Sequence, residues 1–210
     1  KTAYEIMPSL VGSEMCIRDR GSPHPIINYQ LLCSAATLAD NISQLYEINS
    51  MLRIKRSIMS FFLGVYNPHT FEKIHQFVRS IEGFIIPEKG KTERQFVDRT
   101  KLFVGSGHEE EMRLIYKIRS QIEHLHDPLE VIDIENEREK RLTFFISVFK
   151  AEAISRHCIR TFLLNESIWH YFENDEKMNV FWSLPIEERN KIWGNALNLD
   201  KISNSFYKAI

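Results

Sequence analysis

The chain has 210 residues, and its 27 Lys+Arg against 28 Asp+Glu leave a formal net charge of -1, which excludes a globally basic nucleic-acid binder and confines such contacts to local patches. Hydrophobic residues at 43% and charged residues at 26% describe a globular chain and exclude a disordered one. Only 8 Gly and 7 Pro, with apolar residues at helical rather than alternating spacing, predict an all-α fold and argue against a β sandwich or barrel.

Residues 1–20 stand apart from the remainder of the chain. The strings Lys1 to Ile6 and Leu10 to Arg20 (LVGSEMCIRDR) resemble one reading frame of a transposase-type sequencing adapter, with room for a sample index between them. They are expected to be a non-native segment that adds little to the fold. The domain proper is then expected to be 21–210, a single helical domain truncated at its N-terminus. Setting the segment aside leaves the charge balance unchanged and removes Cys16, so Cys33 and Cys158 remain.

Apolar residues recur at helical spacing from about Tyr29 to Tyr66, with a break predicted near Asp40-Asn41 and a stop at Asn67-Pro68. A second helix is predicted from Thr70, a candidate N-cap, to Ile86, where Pro87 stops it. A short helix is predicted from Thr92 to Val104, closed by Gly105-Ser106-Gly107. The next, about 108–126, carries Glu109, Glu110 and Glu111 in its first turn, where carboxylates suit the positive end of the helix dipole, and Pro128 ends it. A long helix is predicted over Glu135 to Leu164, with Leu142, Phe145, Ile146, Phe149, Ala153, Ile159 and Leu163 as its seam. It should pack antiparallel on helix 108–126. The tail predicts short pieces, Trp169 to Phe172 and Pro185 to Leu197, with Trp169, Trp182 and Trp193 as core or lid anchors.

Two distant cysteines outside any CxxC pair give neither a disulfide framework nor a zinc site. Cys158 adjoins His157, but neighbours on a helix point about 100° apart and cannot share a metal. No metal and no cofactor are expected, and a reducing, cytoplasmic location is the simplest reading. The longest apolar runs, Met59 to Tyr66 and Phe144 to Phe149, fall far short of the roughly 20 residues of a membrane-spanning helix. Gly105-Ser106-Gly107 lacks the strand and downstream glycine of a dinucleotide loop.

The segment Ile118-Arg119-Ser120-Gln121-Ile122-Glu123-His124 places an Arg, a polar residue and, five positions after the Arg, a His at the end of a helix. This resembles the defining motif of the HEPN superfamily. The order of the stretches TFEKIHQFVRSIEGFIIPEKGKTERQFVDRTKLFVG, MRLIYKIRSQIEHLHDP and AEAISRHCIRTFL is similar to that of Apea-like HEPN domains. The resemblance implies a helical bundle that forms a homodimer with its motif helices facing, an RNA substrate cut without metal, and a role in defence with an antitoxin or regulatory partner. Neither DNA nor a membrane is implied as a partner. Arg119, Ser120 and His124 are the residues it marks. The usual small residue after the motif His is Leu125 here, a departure from the commonest Apea-like pattern.

The chemistry agrees with such a role. An imidazole with an ordinary pKa of about 6.5 can take the proton of a ribose 2'-hydroxyl or give one to the leaving 5'-oxygen. An Arg offers a permanent planar charge to a phosphorane-like transition state. Helix geometry also offers alternatives. Arg119 and His124 lie roughly 140° apart, Glu123 sits beside Arg119 at i+4 and could pair with it, and His126 at about 20° is a fallback for His124. Arg79 and Glu82, three apart, read as an ion pair, with Glu82 a possible partner for Arg119. Lys89, Lys91, Arg94, Arg99 and Lys101, interleaved with acids, read as a solvated face. Arg156 and Arg160 read as packing or dimer-surface residues.

Three functions therefore stay open. An endoribonuclease needs Arg119 and His124 or His126 exposed in one cleft. A non-catalytic HEPN dimerisation module needs an apolar face with that pair blocked, and an unrelated helical scaffold needs Arg119 buried against Glu123 or Glu82.

Overall fold

The computed structural model describes residues 29–202, in which all regular structure is helical and no strand is present. By its contacts the chain divides after Thr37 into two units. The expectation for residues 1–20 lies outside the described residues. Within Tyr29–Thr37, Thr37 Oγ1 donates to the Cys33 carbonyl at 3.1 Å, an exposed intrahelical bond.

The helices are α1 (Tyr29–Glu47), α2 (Leu52–Tyr66), α3 (Thr70–Ile85), α4 (Thr92–Val104), α5 (Glu109–Glu123), α6 (Glu137–Leu164), a 3-10 turn (Glu166–Phe172), α7 (Asp175–Ser183) and α8 (Ile186–Trp193). The predicted break near Asp40-Asn41 does not occur. Asn41 is buried inside α1, and its Nδ2 donates to the Leu163 carbonyl at 2.6 Å, so tertiary pairing removes its preference for a turn. The chain breaks instead at 48–51, where Met51 adopts φ 65 and its N–H donates to the Glu173 carbonyl at 2.9 Å.

α3 is the hub of the second unit, packing against α2, α5 and α6. Its fit against α2 depends on small residues: a Cβ on Gly83 would lie 2.5 Å from that of Ser57, and one on Gly64 2.6 Å from the Phe77 ring. Where the backbones approach, buried hydroxyls link three helices. Ser155 Oγ donates to Ser80 Oγ at 2.6 Å, and Ser57 Oγ donates to the Ser80 carbonyl at 2.6 Å.

α3 is capped by Ile86, φ 50, the residue before Pro87. Its last carbonyls would be orphans in an apolar setting. Trp182 Nε1 donates to Phe84 O at 3.1 Å, and Arg99 donates to Ile85 O and, at 2.8 Å, to Ile86 O. Arg99, read in the sequence as part of a solvated face, is thus a helix cap stacked 5.1 Å from the Trp182 ring. Around Phe84 lie Phe162, Phe172 and Trp193, with centroids 5.9 to 6.1 Å away. All three Trp are buried in this aromatic core.

α6 begins two residues later than expected, at a cap in which Asn136 Oδ1 accepts from the N–H groups of Arg138 and Glu139. It touches α5, where Lys150 Nζ meets Glu111 at 2.7 Å. The predicted seam is corrected by about one residue. Of the predicted seam Ile146, Ile159 and Leu163 are buried, but Phe145 and Phe149 are exposed and Phe144, Val148, Ala151, Ile154, Cys158 and Phe162 take the inner face beside them, because the apolar run 144–149 does not declare which side faces inward. The tail also differs: α7 was not anticipated, and the last predicted piece stops at Trp193, where Gly194 takes φ 96.

Candidate functional site

α5 positions the motif. Its N-terminus gathers Glu109, Glu110 and Glu111, and the Gly107 N–H donates to Glu109 Oε2 at 3.0 Å. The C-terminus closes three residues earlier than predicted, in a Schellman turn. The N–H of Leu125 donates to Ile122 O at 3.1 Å and that of His126 to Gln121 O at 2.9 Å. This turn places Leu125 at φ 60, the left-handed conformation that glycine adopts without steric cost.

Arg119 points toward α3. Its Nη2 donates to Glu82 Oε2 at 3.0 Å and its Nη1 pairs with Glu123 one turn on; the Arg119 and Glu82 side chains are only 14% and 15% exposed. Tyr116 lies beneath the guanidinium, 5.8 Å from ring centroid to Cζ, and its hydroxyl donates to Thr92 Oγ1 at 2.7 Å. Arg119 Nε is buried without a hydrogen-bond partner. Burial pushes the Glu82 carboxyl above its ordinary value, and Arg119 opposes this.

Glu82 therefore takes Arg119 as its partner rather than Arg79, which has no ion pair among the described residues. His75, not singled out in the sequence, belongs to the same cluster. Burial, then Arg119 and Arg79, hold its imidazole below the usual histidine value, while Glu123 and Glu72 act the other way. The signal was available: 75, 79 and 82 fall at i, i+4 and i+7, one face of α3.

The rest of the motif looks elsewhere. His124 is the C-cap of α5, and His124 and His126 are both exposed. Their rings lie 6.4 Å apart at 89°. Ser120, half-buried, lines a separate cleft of about 330 Å³ with Glu93, Tyr116, Lys117, Gln121 and Val131. The four candidate residues thus divide into an arginine held by Glu82 and Glu123, as the scaffold reading requires, a serine in a neighbouring cleft and two exposed imidazoles. The single cleft joining Arg119 to a histidine that the sequence reading required of an endoribonuclease is not formed. Among the described residues no group of three His, Cys, Asp or Glu could hold a metal ion, and no helix is long and apolar enough to cross a membrane.

No known relative decides between the readings. No protein-family model matches the chain, and neither a curated protein nor a solved structure matches it. Function has to be read from the residues themselves.

Proposed function

We propose that the chain is a HEPN-like, metal-independent endoribonuclease whose proton transfers are made by His124 and His126. The observation that carries this reading is the pair of exposed imidazoles 6.4 Å apart on a helix end fixed by a double hydrogen-bonded turn. In a transesterification one ring removes the 2'-hydroxyl proton, the 2'-oxygen forms the new bond to phosphorus, and the other ring protonates the departing 5'-oxygen. The products are a 2',3'-cyclic phosphate and a 5'-hydroxyl. Each ring needs to come within hydrogen-bond reach of one of those two oxygens, and rings at this separation can flank a single phosphodiester. Arg119, bound to Glu82 and Glu123, acts as a positioning residue that anchors the end of α5 on α3. The protein is proposed to work in the cytoplasm as a homodimer on RNA, in defence, under an antitoxin or regulatory partner.

A second reading, a non-catalytic HEPN module or a helical scaffold, is favoured by a different observation. Both arms of Arg119 are occupied by carboxylates, which blocks it from a phosphate. α2 also exposes Leu52, Met59, Phe62, Leu63 and Tyr66, an apolar face of the kind a module would use. Cleavage of single-stranded RNA by the intact protein against its His124→Ala and His126→Ala variants separates the two.

A further inference from the structure

Two faces of the second unit gather cations, and they differ in how the charge is balanced. Along α4 and the start of α5, a cleft of about 980 Å³ is lined by Lys91, Lys101 and Arg113. Each has a carboxylate: Lys91 meets Glu88 at 3.0 Å, Lys101 meets Asp98 and Glu109 at 3.5 Å, and Arg113 meets Glu93 at 3.4 Å. That surface is largely neutralised by its own acids, Arg94 alone among its cations having no ion pair among the described residues.

The groove between α2 and α3 is not. About 350 Å³ in volume, it is lined by Arg53, Arg56, Ser60, Arg79, Glu82 and Asp175. Its two acids are already engaged. Asp175 accepts from Arg53 Nε at 3.0 Å and Nη2 at 3.3 Å, and Glu82 accepts from Arg119 at 3.0 Å on the side facing α5. Arg56 and Arg79 are exposed and have no ion pair, and the Ser60 hydroxyl has no hydrogen bond, among the described residues. Beneath the groove the two helices are closely apposed at Gly83 and Ser57, where a Cβ on Gly83 would lie 2.5 Å from that of Ser57.

We propose that this groove is an anion site that binds a phosphate group of a nucleotide or of an RNA strand between Arg56 and Arg79, with Ser60 as an added donor. Two guanidinium forks from different helices offer more N–H groups than one carboxylate can accept, whereas a tetrahedral phosphate can take both forks. The volume admits a phosphate with its sugar. Glu82 both lines this groove and holds Arg119, so a phosphate held here lies beside the Glu82–Arg119 anchor. The assignment concerns binding and does not depend on whether the chain cuts RNA.

The test is equilibrium binding by the intact protein of two probes, a nucleoside monophosphate and a short fluorescein-labelled single-stranded RNA, in EDTA at low and at moderate salt. Both are expected to bind, and Arg56→Gln/Arg79→Gln is expected to weaken them by about tenfold or more, as two charge-assisted contacts require. For the RNA, the slope of log affinity against log salt should shrink by about 0.7 in that variant, the share of the one phosphate held by both arginines. Binding of the RNA alone would assign the phosphate to a strand. Both arginines are exposed, so an unchanged melting temperature shows that the variant is folded. No binding of either probe, or equal affinity of the folded variant, overturns the proposal. Binding of the RNA by the intact protein without any cleavage would instead count against the proposed reaction and leave this site standing.

Discussion

Arg119 Nη2 lies 3.0 Å from Glu82 Oε2, and each side chain keeps only about a seventh of its surface in water. Removing one member of such a pair strands the other in a poorly solvated place, which costs more than the pair contributes when intact. Arg119→Ala is therefore expected to destabilise the fold by about 3 kcal/mol, although a purely catalytic arginine could be removed with little structural effect. Arg119→Met combined with Glu82→Leu should recover most of that loss. Urea denaturation of the three proteins checks this; an unchanged midpoint for Arg119→Ala would mean that the pair does not anchor α5.

Leu125 is 95% exposed at φ 60, so it combines a strained backbone with almost no packing to lose. Leu125→Gly should raise stability by about 1 kcal/mol, a left-handed residue being easier for Gly than for a side chain with a Cβ. The Schellman turn is the physical reason that a glycine, with no Cβ, suits this position. A lower melting temperature for Leu125→Gly would contradict the assigned turn.

Two histidines give the fold a pH dependence of definite sign. Burial foremost holds His75 and His157 below the ordinary value of 6.5; Arg119 and Arg79 add to the effect at His75 and Arg160 at His157, where a backbone bond to Asn195 opposes it. The unfolded chain therefore binds more protons at these sites than the folded one. Their contribution to stability is complete above the unfolded value and is lost as pH falls through the folded values. Glu82, raised by burial, works in the opposite sense, since its ionised form is penalised in the fold and acidification toward 4.5 relieves that penalty. The melting temperature should fall on acidification from about pH 7.5 to 5.5, and fall less steeply in His75→Gln/His157→Gln, which retains Glu82. Identical slopes would contradict the burial of the two rings.

Helix existence was legible in the sequence wherever one apolar stripe met clear punctuation. Thr92–Val104 was placed to the residue, since Gly105 comes directly after it, and α3 ended within one residue of the position that Pro87 imposes. Legibility failed where local signals were ambiguous. α6 is apolar on most sides, so its periodicity could not separate buried Phe144 from exposed Phe145. Asn41 read as a breaker because its partner, the Leu163 carbonyl, is 122 residues away in the chain. In the candidate site, the Arg119 pairing with Glu123 followed from i+4 spacing, and Glu82 was one of two options. His75 shares the 75/79/82 face of α3, a signal present in the sequence, but its link to Arg119 forms only once α3 packs on α5.

Whether His124 and His126 cut RNA without a metal is tested most directly by end-group analysis of the products. The intact protein is incubated in excess EDTA with an end-labelled single-stranded RNA, and with the same strand lacking its 2'-hydroxyls. The expected result is 2',3'-cyclic phosphate ends from the first strand and none from the second, with loss of products in both His124→Ala and His126→Ala at unchanged melting temperature. No cleavage above the level of those variants, abolition by EDTA, or equal cutting of the strand without 2'-hydroxyls would contradict the proposed reaction.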